Sequence, residues 1–100
     1  LHADLEVHPS REAEMEHNYH QIFRPAIQRQ PGFLDVRLLK IREALAGRAP
    51  ANARYRLLIS FESEELRRQW VATDEHQRAW PTIEKTLTGS KFTALLYDLA

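Results

Sequence analysis

"PGFLDVRLLKI", residues 31–41, opens with two residues that stop a helix and continues as a segment with apolar side chains on both faces. Pro31 and Gly32 end the preceding periodic segment. From Phe33 to about Arg42 the chain reads as a strand, with Leu34, Val36 and Leu38 on one face and Phe33, Leu39 and Ile41 on the other. Asp35 and Arg37 interrupt the second face. A strand apolar on both sides has to be covered on both sides, so the rest of the chain must supply two covers.

Upstream, Leu1, Ala3, Leu5 and Val7 alternate with His2, Asp4 and Glu6, the period of a half-buried strand. Pro9 and Ser10 stop it. Ser10 is placed to cap a helix running to about Gln30, whose apolar positions Met15, Tyr19, Ile22, Phe23, Ala26 and Ile27 keep helical spacing. Pro25 lies inside this span and predicts a kink or a looser final turn. Downstream, "EALAGRAPANA" (43–53) reads as a loop, and Arg54 to about Glu62 as a third strand alternating Tyr55, Leu57, Ile59 and Phe61 with Arg56, Leu58 and Ser60.

Ser63 caps a short helix through Leu66 and Trp70, which Thr73 and Asp74 interrupt. Asp74 and Gln77 have the form of a capping box for a second helical piece. That piece carries His76, Trp80, Ile83 and Leu87 on one stripe, bent at Pro81 and ended by Gly89. Lys91 to Leu99 forms the last strand. The order strand, helix, strand, strand, helix, strand predicts an α+β, ferredoxin-like βαββαβ protomer as one domain over residues 1–100. Right-handed crossovers place both helices on one face of a four-stranded antiparallel sheet. The other face is expected to be covered by a second copy, a homodimer in which Asp4 or Glu6 pairs Arg37 or Arg56 across it.

Charge excludes several function classes. Lys plus Arg and Asp plus Glu each number 14, so nothing draws the chain toward nucleic acid or an anionic membrane. No apolar run reaches membrane-spanning length, and no leader pattern is expected at its start. Cysteine is absent, which removes disulfides, thiolate metal sites and cysteine nucleophiles and suits a cytoplasmic setting. Three glycines form no phosphate loop, and there is no nucleophile elbow. His17 and His20 share a helix face, but two imidazoles without a third ligand make no metal site.

"WVATDEHQRAW" (70–80) is the stretch that carries chemistry, with both tryptophans and one of the five histidines within it. On general grounds Trp70, His76 and Trp80 are more often core residues than parts of a ligand site. Three features favour a pocket: the broken and bent helix, two indoles flanking one titratable group, and two tyrosines, Tyr19 and Tyr55, expected to face the same layer. An apolar cavity with a few convergent polar groups is the general form of a small-molecule site.

"PGF" after the first helix, "SFESEELRRQW", "WVATDEHQRAW" and the closing "LLYDL" together resemble the antibiotic biosynthesis monooxygenase family over nearly the whole chain. The spacing of Trp70, Thr73, His76 and Trp80 is the most specific part of the resemblance. It implies a dimeric α/β barrel of ferredoxin-like protomers. It further implies oxidation of planar phenols, hydroquinones or enolisable polyketide-like molecules, with O2 as co-substrate and no metal, flavin or nicotinamide. The family's haem-degrading members place an iron-binding histidine ten residues after the helical tryptophan, where this chain has Trp80, so haem is disfavoured. The cofactor-independent members imply Trp70 and His76 as a pocket pair, and the needs of oxygen chemistry then make His76 the expected base, with Trp70 and Trp80 stacking the substrate and Tyr19 or Tyr55 holding a carbonyl or peroxide oxygen. A neutral imidazole, with an ordinary pKa near ~6.5, suits that task. A non-catalytic binding or dimerisation module on the same scaffold, or an isomerase using the same base without oxygen, are the rival readings.

Overall fold

Alternation of small and branched apolar residues forms the sheet of the computed structural model, which describes residues 1–100. The elements are β1 (His2–Val7), a 3-10 turn (Pro9–Arg11), α1 (Glu12–Asn18), a π-helical turn (Tyr19–Phe23), α2 (Arg24–Gln28), β2 (Phe33–Lys40), β3 (Tyr55–Phe61), α3 (Glu64–Ala72), α4 (Asp74–Glu84) and β4 (Leu87–Leu95). The sheet has the order β2-β3-β1-β4, antiparallel throughout, which is the ferredoxin-like arrangement. Its inner face buries Ala3, Leu5 and Val7 of β1 and Tyr55, Leu57 and Ile59 of β3 against Met15, Phe23, Ile27 and Ile83 from the helices. No helix is long and apolar enough to cross a membrane.

The first helical stretch departs from its simple period. His8, not Ser10, caps it: the His8 Nδ1 accepts the Ser10 N–H at 3.2 Å. Pro25 has no N–H to give, and the chain accommodates it with the wide turn just before, where the Arg24 N–H bonds the Tyr19 carbonyl. Extra residues in one turn rotate later positions backward. Phe23 and Ile27 therefore face the core, and Ile22, expected inside, is 40% exposed.

Two strands shift relative to the pattern. In β2 the register slips between Phe33 and Asp35, so Phe33 shares the core face with Val36 and Leu38, while Leu34, expected beside them, is exposed. The last strand begins at Leu87 rather than Lys91. Leu87, expected on the helical stripe, pairs with Val7, and the Thr86 carbonyl accepts from His8. Gly89 and Ser90 both adopt positive φ (57° and 55°), a break within the strand and not a helix end.

Gly32 has φ +78°, and a Cβ there would clash with the Leu66 side chain. It allows the end of the first helical layer to lie against α3. Gly32→Ala should destabilise the chain by about 2–3 kcal/mol, combining left-handed strain with crowding. Urea unfolding should show a lower midpoint at an unchanged slope.

The outer face is mixed. Asp4 and Arg56, cross-strand neighbours, pair at 2.7 Å within the protomer, and Arg37 pairs with Asp35 at 2.8 Å. The carboxylate and guanidinium expected to meet across a dimer thus meet within one sheet. Around them Leu39, Ile41, Leu95 and Tyr97 are exposed.

Candidate functional site

Ser63 starts α3 by accepting the Leu66 N–H on its Oγ at 3.2 Å. The helix stops where Thr73 turns extended, with ψ 154°. Thr73, and not Asp74, then caps α4. Its Oγ1 accepts the His76 N–H at 3.1 Å and donates to the Trp70 carbonyl at 2.7 Å. One hydroxyl thereby ties the backbone of Trp70 to that of His76, which is why threonine midway between them matters to the site. Gln77, expected to complete the cap, bonds the Val71 carbonyl instead.

Two further contacts hold α4 in place. Glu75 accepts from Arg29 at 2.7 Å and from Gln30 at 3.2 Å. Buried Asn18 donates to the Thr82 carbonyl at 2.9 Å. Five rings then line up around a cavity of about 220 Å³ between the helices and the sheet. His76 meets Trp70 edge to face at 4.9 Å, Phe23 touches Trp70 at 6.0 Å and Trp80 at 6.4 Å, and Trp80 meets Phe92 at 5.2 Å.

Ten of the twelve residues lining this cavity are hydrophobic, and the two polar ones are Arg67 and His76. The His76 Nδ1 is the one buried side-chain nitrogen or oxygen without a hydrogen-bond partner. Burial, with the Arg67 charge as a smaller cause, lowers the His76 pKa, so the imidazole stays neutral at pH 7. The arrangement is an aromatic slot with one neutral base and one cation on its wall. Such a site can hold a planar molecule and take a proton from it.

The structure brings together Trp70, His76 and Trp80. Tyr19 and Tyr55 lie outside the cavity. Tyr19 is buried, stacked on Phe23 at 6.3 Å, and burial raises its hydroxyl pKa. Tyr55 is at the start of β3, about 7 Å along the strand from Leu57, the nearest residue of that strand on the cavity wall. Its hydroxyl donates to Glu16, and burial with that hydrogen bond raises its pKa. Both share the expected layer but sit away from the cavity. Phe23, Arg67 and Phe92 complete the wall, and no motif marks them in the sequence. For Arg67 the available signal is its position three residues before Trp70, on the same helix face.

His17 and His20 are exposed, and no group of three or more His, Cys, Asp or Glu side chains converges. A cavity of roughly 150 Å³ holds benzene, so about 220 Å³, open at its mouth, takes in one or two fused rings. The Trp80 indole nitrogen, at the position the resemblance gives to a ligand, is a donor only.

No protein-family model and no curated protein matches the chain. Solved structures do resemble it. A dimeric ferredoxin-like protein of unknown function from Jannaschia sp. superposes with a TM-score of 0.82 at 14% identity, covering 98% of this chain and 95% of that one. An EthD-family protein of Bacillus halodurans gives 0.72 at 18% identity over 99% and 95%. A variant of SnoaB, a cofactor-independent oxygenase from Streptomyces nogalater, gives 0.71 at 18% identity over 99% and 90%. The fold is therefore one used by proteins of several kinds, a cofactor-independent oxygenase among them.

Proposed function

We propose that this chain is a cofactor-independent oxygenase of small planar phenols, hydroquinones or enolisable aromatic ketones, with His76 as base. The observation that carries the reading is His76 itself: a neutral imidazole without a side-chain partner, on the wall of an otherwise aromatic cavity. Removing a proton from such a substrate gives an electron-rich anion. The anion can pass one electron to O2 and recombine with the superoxide formed, without help from a metal or flavin. In an anthrone-type ketone a CH2 then becomes C=O, and the second oxygen atom leaves as water with the two hydrogens. Trp70 and Trp80 orient the ring, and the apolar wall excludes water.

Oxygen consumption by the purified chain, with a chelator present and no cofactor added, tests this across naphthohydroquinones, naphthols and anthrones. Protein-dependent uptake with matching product is expected. Protein-dependent conversion under nitrogen would favour the isomerase reading. Binding without conversion would favour a ligand-binding module.

The chain is further read as a cytoplasmic homodimer joined through the outer sheet face. Exposed Leu39, Ile41, Leu95 and Tyr97 support that, as does the dimeric relative of the same fold. Leu95→Glu should shift the sedimenting species to monomer while the circular dichroism of the helices stays unchanged. A variant that still sediments as the wild type does would place the contact elsewhere.

A further inference from the structure

Arg67 is a charged residue in an unusual place. It lines an aromatic cavity whose one other polar wall residue is His76. Glu64 fixes it from behind in a two-pronged contact, Nε to Oε2 at 2.7 Å and Nη2 to Oε1 at 2.5 Å. A guanidinium has five N–H groups. Two are used on Glu64, and three, including both on Nη1, have no partner. Glu64 also receives Arg68 at 3.2 Å, so the group of one carboxylate and two guanidiniums keeps a net positive charge. The field of Arg67 reaches His76 and opposes a proton there.

We propose that the ligand is an acidic hydroxy-aromatic, a phenol or enol, bound with its oxygen between Arg67 and His76 and held as the anion. The inference rests on the oxygenase reading and adds to it the residue that stabilises the charge. The O–H bond breaks and an N–H bond forms on the imidazole. The electron pair stays on oxygen, facing the free N–H groups of Arg67, and the proton leaves to solvent through the cavity mouth. Arginine suits this better than lysine, because Glu64 can orient the fork while its other edge stays available. A cation that also disfavours imidazolium keeps His76 ready to accept a proton.

The test uses 4-nitrophenol, whose anion and neutral form absorb at different wavelengths, and its methyl ether 4-nitroanisole, which has no proton to lose. Each is titrated across pH into the wild type, Arg67→Met, Arg67→Lys and Glu64→Gln. The charged groups facing the bound oxygen are Arg67 and His76, with Glu64 behind. In the wild type the bound nitrophenol should ionise about one to two pH units below the free compound. Arg67→Met should weaken the anion about ten- to hundredfold and leave nitroanisole within about twofold. Arg67→Lys should fall between them. Glu64→Gln loosens the fork and should weaken the anion in the same direction as Arg67→Met but by less, again with nitroanisole unchanged. Anion binding unchanged in Arg67→Met, with nitroanisole still bound, overturns the role of Arg67 and leaves the cavity reading standing. Failure of both probes to bind the wild type overturns that reading as well.

Discussion

Replacing His76 by alanine should lower protein-dependent oxygen consumption about 100- to 10,000-fold, the range for losing a positioned proton acceptor. The effect should fall on kcat, with KM changing little, because the walls that hold the ring are mostly aromatic and aliphatic. The pH profile gives an independent check. As the proposed base, His76 has to be neutral, and burial, with the Arg67 charge second, lowers its pKa. The wild-type kcat/KM should therefore hold its value as pH falls past ~6.5, the ordinary histidine value, and decline only below it. Above that limb the base is already free, so raising the pH gains nothing from this group. In His76→Ala the limb should vanish together with the rate. Turnover within about threefold of wild type, with the acid limb still present, would assign the base elsewhere.

Trp70→Ala should have the largest effect on stability. The indole is 2% exposed and packs against Phe23 and His76. Truncating a buried tryptophan costs about 3–5 kcal/mol, against a typical total of about 5–15 kcal/mol. Chemical denaturation should show a clearly lower midpoint at an unchanged slope. Trp70→Phe keeps a ring beside His76 and should recover most of the loss. Stability of Trp70→Ala within about 1 kcal/mol of wild type would mean that the surrounding rings collapse into the space. In either variant the imidazole becomes better solvated, and its pKa should move back toward the ordinary value, readable from its ring proton resonances.

The alternation in β1 and β3 is legible in the sequence because small and branched apolar residues there fit one period only. Leu87 fits two periods, four residues on from Ile83 in a helix and opposite Val7 in a strand, and only the pairing decides between them. Ile22 and Leu34 depart from their expected faces for a shared reason. Each lies at a local insertion, the wide turn before Pro25 or the β2 bulge, which changes phase without a mark in the hydrophobic pattern. The clustering of the aromatic stretch 70–80 is legible because Trp70, Thr73 and His76 are neighbours in sequence and are joined by one hydroxyl. The places of Tyr19 and Tyr55 are not, since periodicity assigns a face and says nothing of position along the strand or helix. Arg67 reads in the sequence as one more solvated arginine beside acidic neighbours, and only the packing of α3 puts it on an apolar wall.

The wide turn at Tyr19–Phe23 has a consequence for breathing motions. With Pro25 unable to donate to Gln21, the first helical layer is two hydrogen-bonded units with a joint between them. Phe23, the ring that touches both tryptophans, closes that joint. Parting the two units there would swing Phe23 away from Trp70 and Trp80 while β1 and β3 keep their ladder. Amide hydrogen exchange should thus be fast around the joint and slow in the central strands.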